Sequence, residues 1–542
     1  MSTATTTAPA TREPIALDLT NLPNDPAFLK QLVADLVGAL KDKDTCIGRL
    51  REQLRQTLHR QFGRRSETVH PAQMELFLQQ IAASLAKVEE PSAAPAEATP
   101  KRKGHGRRKT PKDLPKQRTI FPLPEEKKTC DECHGPLTKI AEDVRTLIDY
   151  VPAMFVLKED VREIWACEPC EGNVVMSDLP PKPVEKGMAG AGLLAHVVTN
   201  KYVDHLPLYR QESILAREGL SVTRSTLCGW VAQVADLLKP LYDTMTADLE
   251  KSKVLHADDT SVPVLDERAE ADSPAEAAAK AEAAADAGMA GRKTREGSLW
   301  VRVGDKQHPH IIFNFMPTRG RDEPRAMFEG WKGKLQVDAH PLYDRLFESE
   351  GLLEAACWAH ARRYFVDADF TDRTRARTAV AYIHQLYRVE AAAKDLDDPK
   401  KLALRQQLAR PILDTFKSWL DAQMLAVLPQ SPMAKATGYA LRNWTALTRY
   451  VDDPCLDIDN NVSERALRCV AVGRKNWLFC GSDEGGRRAA ILYSLVATCK
   501  EHRIDPWAYL RAVLARIPTH PDRRRAELLP RNWTATPAAA QP

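Results

Sequence analysis

Three acidic residues, far apart in the sequence, have surroundings typical of catalytic metal ligands. Asp338 directly follows a short apolar run that predicts a strand, and Asp258 lies within VLHADDTSVPVL, which predicts another. Glu464 follows the helix-capping sequence DIDNNVS. Three carboxylates can hold two Mg²⁺ or Mn²⁺ ions about 3.5–4 Å apart, an arrangement that activates water or a DNA 3′-hydroxyl for in-line phosphoryl transfer. The predicted chemistry is therefore metal-dependent phosphoryl transfer without a covalent protein nucleophile.

Other acidic residues compete with this assignment, because most Asp and Glu side chains are solvated or form salt bridges. The spacing does not exclude Asp259, Asp266, Asp344 or Asp457. Successive side chains of a regular strand point to opposite faces, so only one residue of the pair Asp258 and Asp259 should be a ligand.

The elements predicted around these residues form a multidomain α+β protein. Strands are predicted at 254–265, 298–303, 310–316, 335–337 and 354–358, with helices over 323–331 and 341–350. Three meander strands followed by two parallel strands give a compact mixed sheet, in the order of a ribonuclease-H-like fold. In that order the strands carrying Asp258 and Asp338 are neighbours. The core is predicted in two parts, 254–369 and 455–517, separated by an all-α insertion at 370–451.

Two C-x-x-C pairs predict a structural zinc site upstream of the sheet. Cys130 and Cys133 form one pair, and Cys167 and Cys170 form the other. Four thiolates from two such pairs complete a tetrahedral Zn²⁺ site. We expect a zinc-binding ribbon over 119–180 with a hairpin at 144–166; two unrelated redox or chance pairs are the alternative.

A heptad pattern over residues 26–62 predicts a coiled-coil helix and therefore a homo-oligomer. Apolar residues occupy most core positions, and Lys43 and Thr57 are exceptions. The core positions are Val33, Leu36, Leu40, Lys43, Ile47, Leu50, Leu54 and Thr57. A plain amphipathic helix packed on its own domain remains the alternative.

Several basic and polar residues are candidates for DNA contact. Residues 187–250 predict helices with helix-turn-helix spacing, in which Gly219 forms the turn and the second helix begins near Thr223. The candidates are Arg224 and Ser225 on that helix, Arg465, Arg468, Arg474 and Lys475 near Trp477, and Arg107 and Arg108 in the basic segment 101–118. Ordinary helical packing and a solvated linker are the competing interpretations.

Length and composition limit the remaining possibilities. The 542 residues carry a net charge of only +4 and should form several domains. No apolar run approaches the roughly 18 residues of a membrane span, and no signal peptide is evident. The scattered, odd cysteine count favours the reducing cytoplasm. Residues 63–118 predict a linker, the termini 1–25 and 518–542 predict disorder, and the Ala/Glu-rich segment 267–296 predicts a surface loop or loose helix.

Taken together, the motifs resemble the insertion sequence 66 family of DDE-type transposases from about residue 45 to 517. The resemblance is carried by CDECHGPL from 130, GLLAHVVTNKYVDHLPLYRQE from 192, VLHADDT from 254, LQVDA from 335, YDRLF from 343, ACWAHARR from 356, DNNVSERALR from 459 and VGRKNWLFCGS from 472. It implies that Asp258, Asp338 and Glu464 are the catalytic residues of a transposase.

The resemblance also implies the partners: terminal inverted repeats, target DNA and accessory proteins of the same element. Two other functions are weighed against it. One is a non-catalytic DNA-binding protein, such as a domesticated transposase remnant, and the other is a resolvase-like nuclease that cuts without joining.

Overall fold

The computed structural model describes residues 25–62, 155–160, 164–166, 174–176, 182–184, 187–265, 294–318, 323–341, 343–348 and 351–534. The chain divides into two compact units, Val88–Glu159 and the remainder. All elements given below belong to the larger unit. None of the helices in the described ranges combines the length and apolar character needed to cross a membrane.

The described helices and strands are numbered in chain order. The helices are α1 (Pro26–Phe62), α2 (Ala191–Tyr202), α3 (Leu208–Arg217), α4 (Arg224–Leu249), α5 (Glu323–Met327), α6 (Trp358–Ala368), α7 (Arg373–Ala393), α8 (Asp398–Leu404), α9 (Arg410–Ala426), α10 (Pro432–Arg442), α11 (Trp444–Thr448), α12 (Asn461–Trp477), α13 (Asp483–Glu501) and α14 (Pro506–Arg516). The strands are β1 (Ile164–Ala166), β2 (Val174–Met176), β3 (Val254–Leu265), β4 (Thr294–Val303), β5 (Ile311–Met316), β6 (Gly333–Gln336) and β7 (Leu352–Ala355).

The central sheet has five strands in the order β5-β4-β3-β6-β7. Strands β3, β4 and β5 form an antiparallel meander, whereas β3 with β6, and β6 with β7, are parallel. In the parallel pair, His256 lies opposite Gln336. Continuing that register by two residues brings Asp258 of β3 and Asp338, just beyond β6, to the same level of the sheet.

The connection from β6 to β7 differs from the prediction. A helix was expected over 341–350, but the structure has one 3₁₀ turn there, Asp344–Leu346. The prediction was wrong because the segment is short and bounded by two helix-breaking residues. Pro341 lacks a backbone donor, and Gly351 has φ +100°, a left-handed conformation suited to glycine.

Two hydrophobic cores stabilise the larger unit. One packs the sheet against α2, α4, α13 and α14. The other is formed mainly by the helices that follow β7, where Phe416 stacks on Tyr382 with ring centroids 4.8 Å apart, and it also includes Val254 and Ala355 of the sheet. Helix α6 belongs to this second core, because Trp358 and Phe365 are buried in it. The helices after β7 therefore begin at residue 358, before the insertion predicted at 370–451, whose bounds stay a prediction.

Helices α3 and α4 form the hairpin expected from the sequence. Gly219, with φ +90°, lies in the turn just after α3. Thr223 caps α4, because its side chain accepts a hydrogen bond from the backbone N–H of Thr226. The first three residues of α4, 224–226, are exposed, whereas Leu227 and later residues such as Leu238 and Leu241 are buried. One helix thus joins the hairpin to the core of the sheet.

Helix α1 is continuous over the range predicted from the heptads, and its apolar residues are exposed. Val33, Leu40, Ile47 and Leu54 have between 47% and 61% of their surface accessible. Among the described residues nothing buries this face in a core, so they give no support to the alternative of a helix packed on its own domain.

The C-terminal segment is ordered further than expected. Disorder was predicted from residue 518, but 3₁₀ turns span Asp522–Leu528 and Pro530–Asn532. Leu528 and Leu529 are buried, and the Tyr509 hydroxyl donates to the carbonyl of Leu528 at 2.8 Å. The prediction was wrong for 518–534 because a basic, Pro-rich composition concealed two apolar anchors; residues 535–542 lie outside the described ranges.

Strands β1 and β2 pair antiparallel in the region predicted to bind zinc. Residues 155–160 have no regular structure, and most of the hairpin expected at 144–166 lies outside the described residues, so it stays a prediction. The numbers of the second cysteine pair, 167 and 170, fall between the two strands, and all four cysteines of the two pairs lie outside the described residues.

Candidate active site

Asp258 is at the centre of a group of acidic side chains. Burial, and after it the negative charges of Asp338, Asp259 and Glu464, together raise the pKa of its carboxyl group to about 7. The backbone N–H of Asp259 donates to Asp258 Oδ1 at 2.8 Å and opposes this shift only in part. The structure therefore brings the other two predicted ligands within electrostatic range of Asp258. In the sequence, Asp338 lies 80 residues after Asp258, and Glu464 lies 126 residues after Asp338.

A buried clamp holds the helix of Glu464 against the strand of Asp258. The Asn460 amide donates to the carbonyl of Ala257 at 2.8 Å, and its Oδ1 lies 3.2 Å from His256 Nδ1. Asn460 and His256 are both buried. Asn460 occupies the N-cap position of α12, but its side chain bonds the strand instead of capping the helix. The clamp thus fixes where Glu464, in the first turn of α12, can lie.

The loop that precedes α12 is fastened to two further elements. Gln336 of β6 donates to the carbonyl of Asp457 at 2.6 Å and accepts from its N–H at 3.3 Å. Asp459 accepts from the N–H of Asn461 at 3.1 Å and from the Tyr387 hydroxyl of α7 at 2.9 Å. The helical region therefore supports the return of the chain to the sheet.

The backbone around Asp338 is fixed in an unusual conformation. Ala339 has φ +55°, which is uncommon for a residue with a Cβ. The Tyr439 hydroxyl of α10 donates to the Asp338 carbonyl at 2.6 Å, and the N–H of His340 donates to Asp338 Oδ1 at 3.0 Å. Strained backbone of this kind persists where the surroundings hold it in place. These contacts orient the Asp338 carboxylate at the end of β6.

Two residues that the predicted ligand set left out lie next to Glu464. His360 Nδ1 is 3.6 Å from Glu464 Oε1, and this buried nitrogen has no hydrogen-bond partner among the described residues. Potential ligand atoms of Cys357, His360 and Glu464 all lie within 4.8 Å of one another. Burial raises the pKa of the Cys357 thiol to about 12, so it is neutral. The sequence feature that could have identified these two residues is their spacing in ACWAH, which places Cys357 and His360 one turn apart at the start of a helix.

The three predicted carboxylates suit a hard cation better than a soft one. Their donors are oxygens, which Mg²⁺ and Mn²⁺ prefer, whereas Cys and His favour metals such as Zn²⁺. A cation would also remove the repulsion that raises the pKa of Asp258. Among the described residues, the three carboxylates do not form a cluster as tight as that of Cys357, His360 and Glu464.

The competing aspartates have other surroundings. Asp457 is held by Gln336 and lies 3.8 Å from His256 Nε2, and Asp344 is exposed in the 3₁₀ turn. Asp259 lies opposite Trp300 of β4, whereas Asp258 lies opposite Val301, so the two point to different faces. Asp266 lies outside the described residues.

The predicted DNA contacts fall into three groups. Arg224, Ser225, Arg465, Arg468 and Lys475 are exposed on α4 and α12. Arg474 instead donates to the Thr260 hydroxyl at 3.0 Å and to the Ser261 carbonyl, so its guanidinium ties α12 to β3. Arg107 and Arg108 lie outside the described residues.

Family comparisons account for most of the chain. The family described as "Transposase IS66 family" matches residues 186–278 and 279–488. Three shorter regions also match: the "IS66 C-terminal element" at 494–531, "Transposase C of IS166 homeodomain" at 49–119, and the "zinc-finger binding domain of transposase IS66" at 127–171. The last region contains all four cysteines of the two pairs, which supports a structural Zn²⁺.

Two relatives come from Sinorhizobium fredii (strain NBRC 101917 / NGR234). The uncharacterized protein y4jD is 33% identical over 441 residues, which cover 78% of this chain and 81% of the relative. The uncharacterized protein y4hP is 30% identical over 519 residues, covering 90% and 88%. With more than half of its length matched by one family, and with a zinc-finger region and a C-terminal element of the same kind, the chain belongs to the IS66 family of transposases.

Proposed function

We propose that this transposase cleaves DNA at the terminal inverted repeats of its insertion sequence and joins the ends to target DNA, using Asp258, Asp338 and Glu464. The observation that carries the proposal is the raised pKa of Asp258, caused by burial and then by the charges of Asp338 and Glu464. Like charges held near one another at a partly buried site are unfavourable, and such perturbed groups cluster at functional sites. The order β5-β4-β3-β6-β7 supports a ribonuclease-H-like core for this site.

In this proposal the three carboxylates hold two Mg²⁺ or Mn²⁺ ions. When bound, the ions would activate the attacking oxygen and stabilise the leaving oxygen of a phosphoryl transfer. The protein's own residues set the geometry. Asn460 and His256 fix the helix of Glu464 against β3, while Tyr439 fixes the backbone that carries Asp338. Arg465 and Arg468, exposed on the helix of Glu464, orient DNA phosphates beside the carboxylates.

The remaining parts of the chain bind DNA and assemble the complex. The exposed first turn of α4, with Arg224 and Ser225, enters a DNA groove in helix-turn-helix fashion. Lys475, Arg107 and Arg108 add contacts to phosphate. The exposed apolar face of α1 pairs with a second copy of the chain, which makes a homo-oligomer. Accessory proteins of the same element join this complex, which works on DNA in the cytoplasm.

Replacing one carboxylate by its amide tests the proposal directly. We expect Asp338→Asn to lower cleavage and joining of a duplex bearing the element's ends by at least about 10³-fold with Mg²⁺, equivalent to about 4 kcal/mol of transition-state stabilisation. DNA affinity should stay within about twofold in a binding assay, because phosphate and base contacts lie elsewhere.

Asp344→Asn is the matched control, because Asp344 is an exposed aspartate six residues further along the same connection. Its cleavage rate should equal that of the unmodified chain. Full activity of Asp338→Asn would refute the metal site. A wild-type chain that binds the ends but never cuts them would favour the domesticated DNA-binding protein, and cutting without joined products would favour a resolvase-like nuclease.

A further inference from the structure

Tyr364 is an aromatic side chain exposed next to the candidate active site. Helix α6 buries Trp358, Ala361, Phe365 and Ala368 on its inner face. Tyr364 lies off that face, and 44% of its surface is accessible. The accessible part of this ring is therefore available for contact with a ligand that has an apolar face.

The ring of Tyr364 has a rigid backing that connects it to Asp338. Its centroid lies 4.6 Å from that of Tyr439, with 32° between the ring planes. Tyr439 is buried and donates its hydroxyl to the Asp338 carbonyl at 2.6 Å. One aromatic ring thus supports the other, and the pair is anchored on the residue that presents a candidate ligand.

Helix α6 also contacts the other side of the carboxylate group. His360 is four residues before Tyr364, so both side chains lie on one side of the helix. His360 Nδ1 is 3.6 Å from Glu464 Oε1. Tyr364 therefore lies about one helical turn from His360, which is near Glu464. On its other side, only the ring of Tyr439 separates it from the Asp338 backbone.

We propose that Tyr364 is a stacking platform for a nucleobase of an unpaired nucleotide next to the phosphodiester that is cleaved. The inference rests on the proposed function, since it adds a base-binding subsite to the same carboxylate site. Stacking of a base on an aromatic ring contributes about 1–3 kcal/mol and tolerates any base. A base can reach the ring only after leaving its own stack, at a cost of a few kcal/mol. The subsite would hold the strand open at the position where it is cut.

A basic residue near the aromatic pair fits a nucleotide rather than an apolar protein segment. Arg442 is exposed at the end of α10, one turn beyond Tyr439. A cation near an exposed ring matches the phosphate and the base of one nucleotide.

Photo-crosslinking with 5-iodouracil tests this contact, because an iodouracil base stacked on an aromatic ring crosslinks to it. The probe is a duplex from the element's end with one thymine at a time replaced by 5-iodouracil, bound to the full chain carrying Asp338→Asn to stop cleavage. We expect a crosslink mapped to Tyr364 at one position within about three nucleotides of the cut, lost in Tyr364→Leu. Crosslinks found only at residues remote from α6 would overturn the proposal.

Cleavage by the otherwise unmodified chain provides the second readout. Tyr364→Leu should slow cleavage about 10- to 100-fold, the equivalent of about 1.4–2.7 kcal/mol, while Tyr364→Phe, which keeps the ring, should stay within about threefold. An abasic site at the crosslinked position should slow the unmodified chain by the same factor and should not slow Tyr364→Leu further, since both changes remove one contact. A purely structural role for Tyr364 would instead give additive losses.

The two proposals fail in different ways. If Asp338→Asn still cleaves DNA, the metal site is refuted whatever the crosslink shows. If Asp338→Asn is inactive but Tyr364→Leu cleaves at the normal rate without a base contact, the stacking subsite is refuted and the metal site stands. Tyr364→Leu should lower the free energy of unfolding by less than about 1.5 kcal/mol, because it removes only one ring pair, with Tyr439, from a partly exposed side chain.

Discussion

Arg405 in the helical region and the carboxylates at the end of the sheet are two charged sites with opposite designs. Arg405 is fully buried, and Glu390 accepts from its Nε and Nη2 at 2.8 and 2.6 Å. Three backbone carbonyls, those of Tyr450, Asp453 and Leu456, accept from the same guanidinium at 2.6–3.0 Å. In contrast, Asp258 is repelled by Asp338 and Glu464 and gains one backbone donor.

The comparison separates a charge that is paired within the fold from charges that lie unpaired at the proposed metal site. A buried arginine whose donors are all used leaves nothing for a substrate, and it holds together α7, the segment between α8 and α9, and the loop before α12. Carboxylates that repel one another lower the stability of the protein without a bound cation. A bound cation would reduce that repulsion. The helical region therefore contains a fully paired buried charge, whereas the carboxylates at the end of the sheet repel one another.

The largest effect on stability is expected at the matched site. Arg405→Met leaves Glu390 buried without its partner and leaves carbonyls without donors, so the free energy of unfolding should fall by about 3–5 kcal/mol. Urea denaturation followed by tryptophan fluorescence measures the change. The control is Arg410→Ala, which removes an ion pair with the exposed Asp452 and should cost less than about 1 kcal/mol.

A second variant tests the reason for that loss. Arg405→Met combined with Glu390→Leu should recover part of the stability, because no buried charge then lacks a partner. An unchanged denaturation midpoint for Arg405→Met alone would contradict the comparison.

The unmatched site should respond in the opposite direction. Asp258→Asn should raise the free energy of unfolding by about 1–3 kcal/mol at about pH 8 without added divalent cation, while cleavage is lost. The sign follows from the pKa of Asp258, which the fold raises from 3.8 to about 7. Between these values the unfolded chain is ionised and the folded chain holds a proton, so stability falls as the pH rises.

The pH dependence separates this cause from a packing effect. Near about pH 4 the aspartic acid is protonated in the folded chain, so the stabilising effect of Asn should largely disappear there. Denaturation curves at several pH values, with Asp344→Asn as the exposed control, measure this. A gain that stays constant across the pH range would show that charge repulsion is not its origin.

The smallest effect is expected for Arg465. It has the same side chain as Arg405 but is exposed instead of buried. In the described part of the chain no carboxylate forms an ion pair with Arg465, which is exposed one residue after Glu464. Arg465→Ala should weaken DNA binding about 3- to 10-fold and lower the slope of log affinity against log salt by about 1. Arg524→Ala, which removes an exposed pair with Glu527, should leave both quantities unchanged.

The local elements were largely predictable, because periodicity and capping residues act over short distances. Strand β3 matches the predicted range 254–265, α1 matches 26–62, and Thr223 caps α4 as expected. The errors occur where distant contacts override local preference. The tail at 518–534 is ordered by Leu528 and Leu529, whose burial depends on α14 and the sheet.

The candidate site was predictable only in part. Asp258, Asp338 and Glu464 could be chosen from their predicted positions on strands and a helix, together with the family resemblance. The roles of Asn460, Tyr439 and His360 could not be inferred, because each depends on a partner about 100 to 200 residues away in the sequence. A hydrogen bond over such a separation leaves no periodic pattern in the sequence.

The sequence by itself determined the types and order of the elements, the two cysteine pairs and the acidic residues suited to a metal. These depend on side-chain chemistry and on spacing within one element. Only the tertiary structure decided which charges are compensated and which are not. Arg405 and Arg465 are the same residue type, yet one is enclosed by acceptors and the other is exposed, because packing sets the distance between groups and excludes water between them.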